Sequence, residues 1–356
     1  MNLDVSFYYQ AHASKTKLAQ AFTLDLKLTL PIADHIIGLF GESGAGKSTL
    51  LKQIAGLLQA NNKQITYQNK NIALLAPEHS PCCYQHQQSV LFPHLTVREN
   101  LALVLAHGQF SHTLAFSLDE VVEWCELAPL LAKNVSALSG GEVQRIAFAR
   151  SLLSGKTLIL LDEPFSALDW QAREHMLRLL PILKSRYHIN FIIVSHSLRE
   201  LSLVASYLVV LKQGQLVEQG LSNRITTTLS TLQGQQATSA LQGLVAEHLE
   251  QYQLTKVLLQ GEQHQTIIVH RHHIVEDKVL LSLNANKVSI AKTKPAVSSI
   301  VNLLEVVVAK IERFPSHALI SLALNEQYIL AEISLMSLDS LALAVNERVY
   351  AQFKVL

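Results

Sequence analysis

Charge is scarce in this sequence. Charged residues make up 16% of 356, and the 29 Lys and Arg nearly cancel the 28 Asp and Glu, for a formal net charge of +1. A surface that holds a polyanion needs clustered positive charge, so no nucleic-acid partner is expected. Cysteine is also scarce. Cys82 and Cys83 are adjacent, Cys125 stands alone, and no CxxC spacing occurs. That pattern predicts reduced thiols without a special role. No apolar run approaches the ~18 residues that a membrane-spanning helix needs. The opening MNLDVSFYYQ lacks the basic and apolar regions of a secretory signal, so the chain is expected to stay in the cytosol.

Apolar residues, by contrast, make up 49%, ample for cores of ordinary size. The length suggests two or three domains. Residues 1–30 alternate apolar and polar (LDVSF, FTLDLKLTL) and read as strands of an antiparallel edge sheet. HIIGLF (35–40), TLILLDE (157–163) and FIIVSH (191–196) are continuous apolar runs, as expected of strands buried on both faces. Leu50, Leu51, Ile54, Leu57 and Leu58 share one helical face. Residues 65–76 return to strand-like alternation, and 96–135 read as helical with loop signals at 107–112. YLVVLKQGQLVEQG (207–220) reads as a hairpin turning on Gly214. Buried strands alternating with helices predict a mostly parallel sheet with ligand at the C-terminal ends of its strands. Residues 221–240 carry the Ser, Thr, Gln and Asn of a linker. Short strands follow, with one candidate helix around 237–252, a texture that suits a small β-barrel.

The chemistry is concentrated in a few stretches. GESGAGKST runs from Gly41 through Glu42, Ser43, Gly44, Ala45, Gly46, Lys47 and Ser48 to Thr49. It fits G-x4-G-K-[ST], with a strand before it and a helix after it. The glycines let backbone N–H groups turn inward around phosphates, and the helix adds its N-terminal partial charge. Lys47 would reach the β- and γ-phosphates of ATP, and the Ser48 hydroxyl would sit on Mg²⁺. In LILLDEP, Asp162 ends a buried strand and would hold Mg²⁺ through water. Glu163 follows and is placed to orient or deprotonate an attacking water. Ser139 and Glu142 of LSGGE form a capping box, and a Ser-Gly-Gly helix start is also an anion site. His196 ends the third buried strand, where a catalytic role is expected.

Taken together, residues 1–235 resemble an ABC-transporter ATPase. The resemblance rests on five motifs in the family's order: GESGAGKST, Tyr84-Gln85-His86-Gln87, LSGGE, LILLDEP with SALD (166–169), and Ser195-His196. It implies that Gln87 senses the γ-phosphate and Mg²⁺ and contacts a membrane partner. It makes Glu163 the catalytic carboxylate, places Asp169 on the loop joining two subunits, and makes His196 the γ-phosphate switch. Two copies face each other in that family, so Ser139, Gly140 and Gly141 would serve the partner's nucleotide. The family stacks adenine on an aromatic, for which Phe7, Tyr8, Tyr9 and Phe22 are all candidates. The implied fold is an α/β P-loop NTPase with an antiparallel edge sheet and a helical subdomain, followed by an all-β small barrel of Mop/TOBE-like, OB-like type. The expected domains are 1–235 for ATP binding, 236–296 for a linker and accessory β segment, and 297–356 for the barrel.

LFPHLTVREN (91–100) resembles importers of the oxyanion, maltose and polyamine type. SSIVNLLEVVVAKI (298–311) and residues 328–356 resemble the small barrel of molybdate importers. The overall layout is similar to the ATPase subunit of those importers. This implies a homodimer on the cytoplasmic face of the inner membrane, peripheral to it, with an integral permease and an external substrate-binding protein. Importers of sulfate, a sugar or a polyamine are the alternative within the class. A soluble ABC ATPase and a molybdate-sensing binding protein are the alternatives outside it. The tail departs from the barrel family, with Val301 in place of an arginine and Glu305 in place of a glycine. Ser298, Ser299 and Lys354 remain as candidate donors to molybdate, and a dimer-stabilising barrel stands beside that reading. HRHH (270–273) with His264 would be split between two faces of a strand, and an exposed polar strand is expected there.

Overall fold

The computed structural model describes residues 2–10, 22–108, 116–222, 224–226, 237–259, 265–270, 278–295, 298–325 and 327–356. The chain divides into two compact units, Met1–Gln219 and Gly220–Leu356.

The first unit contains two sheets. In one, β1 (Leu3–Gln10) pairs antiparallel with β2 (Thr23–Leu30) and with β4 (Asn61–Tyr67), and the short β5 (Lys70–Asn71) extends the edge. β2 alternates exposed and buried residues along its whole length, the mark of a sheet with one face in the core. The other sheet contains β3 (Ile37–Phe40), β6 (Cys82–Gln85), β7 (Leu158–Asp162), β8 (Asn190–Val194), β9 (Tyr207–Lys212) and β10 (Gln215–Leu221). Its order is β10-β9-β3-β8-β7-β6, and β9, β3, β8, β7 and β6 run parallel. Every residue of β3, β7 and β8 is buried, which is why their sequences are apolar without alternation. Gln213 and Gly214, both at positive φ, turn β9 into β10, as a two-residue hairpin of type I′ requires.

Between the sheets, α1 (Lys47–Ile54) contributes Leu50, Leu51 and Ile54 to a core shared with Leu3, Leu28 and Ile192. Three more helices, α2 (Val97–His107), α3 (Leu118–Trp124) and α4 (Gly140–Leu153), each begin with a capping box. α2 and α3 both pack against α4. Two helices, α5 (Trp170–Tyr187) and α6 (Leu198–Val204), follow β7 and β8. The parallel order brings the C-terminal ends of β3, β6, β7 and β8 to one edge of the sheet, where ligand sites of open α/β folds form.

Among its described residues the second unit is all-β apart from helical residues 222 and 224–226, α7 (Leu335–Leu341) and short 3₁₀ turns. β11 (Thr238–Leu249), β12 (Leu254–Leu259), β13 (Thr266–His270) and β14 (Lys278–Asn284) form a sheet in the order β13-β12-β11-β14. β15 (Ser289–Ala291), β16 (Asn302–Arg313), β17 (Ala318–Leu324), β18 (Gln327–Ile333) and β19 (Arg348–Phe353) form another, β15-β19-β16-β17-β18. β11 to β14 and β16 to β19 therefore have the same topology. Both long strands break register at the same place, between Val245 and Glu247 in one and between Val308 and Lys310 in the other.

The two halves are stitched by matching bonds. The Asn302 side chain takes the N–H of Ile268 at 2.6 Å and donates to its carbonyl at 3.0 Å. At the equivalent position, Ser239 accepts from the N–H of Leu330 at 2.7 Å. Gln327 pairs with both backbone groups of Gln242, and Gln265 with both of Glu305. One buried cluster spans both sheets, including Leu241, Val257 and Ile267 from one and Leu304, Ile320 and Val349 from the other. The unit is thus two copies of one module closed on a common core.

The helix expected around 237–252 is instead the 12-residue strand β11. Ala, Leu, Gln and Glu favour helix weakly, but β11 is paired on both sides, with β12 and β14. Gly243 permits the close approach, because a Cβ there would lie 2.4 Å from Val257 Cγ1. Asn302, only 1% exposed, also donates to the Lys354 carbonyl at 3.2 Å. Asn302→Ala leaves buried backbone groups unpaired, and the expected loss is about 2 kcal/mol or more of second-unit stability, read by urea unfolding.

Candidate nucleotide-binding site

The loop after β3 is shaped by two glycines above all. Gly41 sits at φ 154°, and a Cβ on it would come within 2.2 Å of the Leu211 carbonyl. Gly46, the N-cap of α1, sits at φ 101°, with Leu24 and Phe22 close above it. Side chains are excluded from both places, so the backbone can fold tightly around a small anion. Lys47, 7% exposed, donates to the carbonyls of Gly41 at 2.7 Å and Glu42 at 2.8 Å. Burial holds its pKa below the ordinary lysine value, against the opposing pull of Glu163 and Asp162. Its ammonium therefore lies inside the loop, within the field of two carboxylates.

The ends of β6, β7 and β8 supply the rest. Ser48 donates to Asp162 Oδ1 at 3.0 Å, and Tyr84 donates to Asp162 Oδ2 at 2.8 Å. Burial and the Asp162 charge push the Tyr84 phenol far up, so it stays a donor. Glu163 adopts φ 46°, an uncommon left-handed backbone for a residue with a Cβ. Its carboxylate accepts from Gln87 Nε2 at 2.9 Å and lies 3.6 Å from His196 Nδ1. Gly41–Thr49, Gln87, Asp162, Glu163 and His196 are thus brought together at one sheet edge. Tyr84 had no assigned role in the motif reading beyond its place in the glutamine loop. The signal for it is its position on β6, directly beside Leu160 of β7, two residues before Asp162.

The ABC transporter family profile matches residues 24–166, and the TOBE domain profile matches residues 298–355. The chain is 33% identical over 363 residues to the molybdenum import ATP-binding protein ModC of Hahella chejuensis, covering 99% of this chain and 98% of that one. It is also 33% identical to the molybdenum import ATP-binding protein ModC 1 of Azotobacter vinelandii, over 94% of each chain. The chain belongs to the ABC transporter ATPases. A dimeric ATP-binding cassette in a post-hydrolysis state, bound to ADP and phosphate, shares the fold of the first unit. Its TM-score is 0.54 at 24% identity, covering 62% of this chain and 98% of that one.

The signature residues lie at the start of α4. Ser139 caps α4, accepting from Glu142 N at 3.3 Å, and Glu142 accepts from Ser139 N at 2.7 Å. That backbone bond, together with Lys133, holds the Glu142 carboxyl down at about 2. Gly141 packs against the loop after β7, where a Cβ would lie 2.8 Å from Leu168 Cδ2. Asp169 is exposed and caps α5 through Ala172 N at 2.9 Å. Ser139, Gly140, Gly141 and Asp169 therefore form a second cluster. The backbone ties it to the first, since Ser166 N–H reaches the Glu163 carbonyl.

Of the aromatic candidates, Phe7 is buried in the core and Tyr9 packs partly against it. Phe22 is half-buried beside the phosphate loop, its Cζ 3.0 Å from where a Gly46 Cβ would be. Cys82 and Cys125 are buried, and burial pushes both thiols up to about 12. In the ABC ATPase's tail, Ser298, Ser299 and Lys354 are exposed. His264 and residues 271–273 lie outside the described residues, and His270 is exposed. Among the described residues no group of three or more His, Cys, Asp or Glu is arranged to hold a metal.

Proposed function

We propose that this ATPase energises molybdate import, working as a homodimer on the cytoplasmic face of the inner membrane against a separate permease fed by an external binding protein. The observation that carries the substrate is the near end-to-end likeness to molybdenum import ATP-binding proteins, at 33% identity over 98% of one of them. No helix among the described residues is long and apolar enough to cross a membrane.

The Ser48 hydroxyl and the Asp162 carboxylate fit Mg²⁺, since both are hard oxygen donors held 3.0 Å apart at a phosphate cradle. Gln87 would complete that set. Mg²⁺, when bound, supplies neutralisation of phosphate charge. Lys47 exchanges two loop carbonyls for the β- and γ-phosphate oxygens, a stronger, charge-assisted pairing. The N–H groups of residues 43–49 close around the phosphates. Phe22 covers the adenine. Glu163 orients a water and takes its proton, and His196 holds the γ-phosphate from the other side. Ser139, Gly140 and Gly141 of the second copy complete each nucleotide site across the dimer, and Asp169 borders the junction.

The same machinery would serve a sulfate, sugar or polyamine importer. Competition separates them. With this chain and its permease in vesicles, molybdate-stimulated ATP hydrolysis is expected to persist under excess sulfate, maltose or spermidine. Displacement by one of these would move the substrate assignment to it. Molybdate binding by the tail itself is a separate question, read by calorimetry with Lys354→Ala as the control.

A further inference from the structure

The segments that carry His196 and Asp169 are joined by a continuous chain of side-chain bonds. Arg173, on the first turn of α5, is its centre. One Arg173 nitrogen donates to the carbonyls of Ser166 and Leu168, at 2.9 and 2.7 Å. The other donates to Glu200 Oε1 on α6 at 2.7 Å. Glu200 Oε2 accepts from the Ser195 hydroxyl at 2.6 Å, and Ser195 Oγ accepts from Ser197 N at 3.0 Å. His196 lies between those two residues. On the far side, Gln144 of α4 uses both ends of its amide on the same loop. It donates to Ser166 Oγ at 3.0 Å and accepts from Ala167 N at 2.8 Å.

These groups are shielded from water. Gln144 is 6% exposed and Ser195 2%, and the Arg173 and Glu200 side chains are 20% and 12% exposed. Short bonds in a shielded setting hold their geometry, whereas exposed ion pairs contribute little. The chain also closes on itself. His196 faces Glu163, and Glu163 leads through the backbone into Ser166. A shift of α4 would therefore reach the loop at 166–168 through Gln144, pass through Arg173 to Glu200, and move Ser195 and its neighbour.

We propose that Arg173 and Glu200 are positioning residues for ATP hydrolysis, which fix His196 against Glu163 and tie both to the signature helix through Gln144. The proposal rests on the assignment of Glu163 and His196 to the reaction. It predicts a loss of rate without a loss of nucleotide affinity, because none of Gln144, Arg173, Ser195 and Glu200 lies on the phosphate loop. A purely structural staple would instead lower the melting temperature and spare the rate of whatever protein stays folded.

The test is a kinetic cycle on the purified full-length chain with MgATP. Glu200→Ala is expected to lower kcat ~10-fold or more, with KM within ~3-fold, since a small misplacement of a reacting group has effects of this size. Glu200→Gln keeps one acceptor oxygen and should recover part of the rate. In a His196→Ala background, adding Glu200→Ala should lower kcat by less than ~2-fold, whereas independent sites would multiply their losses. Ser195→Ala repeats the cycle with a gentler change should Glu200→Ala fold poorly. A full second loss in the His196→Ala background, or a raised KM at unchanged kcat, would overturn the relay. If His196→Ala alone leaves kcat at the wild-type value, the assignment of His196 fails first.

Discussion

Glu163→Gln binds MgATP with wild-type affinity and turns it over at least ~100-fold more slowly, the scale expected when a positioned general base is removed. The substitution keeps the size of the side chain and the left-handed backbone at φ 46°. It keeps an acceptor for Gln87 as well, whose Nε2 now lies 2.9 Å from Glu163 Oε2. What it removes is the basicity. Lys47, Ser48 and Asp162, which are placed to hold the nucleotide, are untouched. Equilibrium binding of a fluorescent ATP analogue and a single-turnover assay separate the two effects. A variant that hydrolyses normally would take the carboxylate out of its assigned role, and one that loses affinity equally would make Glu163 a binding residue.

The second large effect belongs to Gly141→Val. A Cβ there meets Leu168 Cδ2 at 2.8 Å and the Ala167 carbonyl at 3.3 Å, so the signature loop has to move. The phosphate loop, at Gly41–Thr49, is remote in sequence and keeps its own hydrogen bonds. The expected result is affinity within ~3-fold of wild type and turnover reduced at least ~100-fold, because displacement of a reacting group by about 1 Å is enough for that. The loss is expected in the dimer, where each signature is proposed to serve the opposite nucleotide. Sedimentation with a non-hydrolysed ATP analogue should show fewer dimers than wild type. An equal loss of monomer affinity would place the signature in the chain's own nucleotide pocket.

The nucleotide site was largely legible because its chemistry is local in sequence. A strand, a glycine loop and a helix in succession place Lys47 and Ser48 without knowledge of the rest. Buried parallel strands also announce themselves, as LILLD and NFIIV do; Asp162 ends the first, and His196 lies two residues past the end of the second. What the text cannot carry is which ends become neighbours. The order β3-β8-β7-β6 sets Tyr84 against Asp162, and that contact crosses 78 residues. That Phe22, among the four aromatics, lies beside Gly46 likewise depends on packing.

The second unit hid more. Its two modules keep topology, bulge position and the stitching bonds; a glutamine makes one set in both modules, while the residue that makes the other differs. Asn302 and Ser239 do the same work with different side chains, as backbone pairing needs only an acceptor at that point. β11 looked helical because Ala, Leu, Gln and Glu fill it, and pairing on both edges overrode that weak preference. Repetition of this kind is visible in hydrogen bonds before it is visible in letters.

ATP turnover by this chain is expected to drive molybdate across a membrane. Cells lacking their own chromosomal importer, supplied with this chain and its permease, should accumulate molybdate from nanomolar concentrations. The same cells carrying Lys47→Ala, which removes the cation from the phosphate loop, should accumulate none. Uptake that survives Lys47→Ala, or is absent with the intact chain beside an expressed permease, would mean that ATP turnover by this chain does not drive molybdate import.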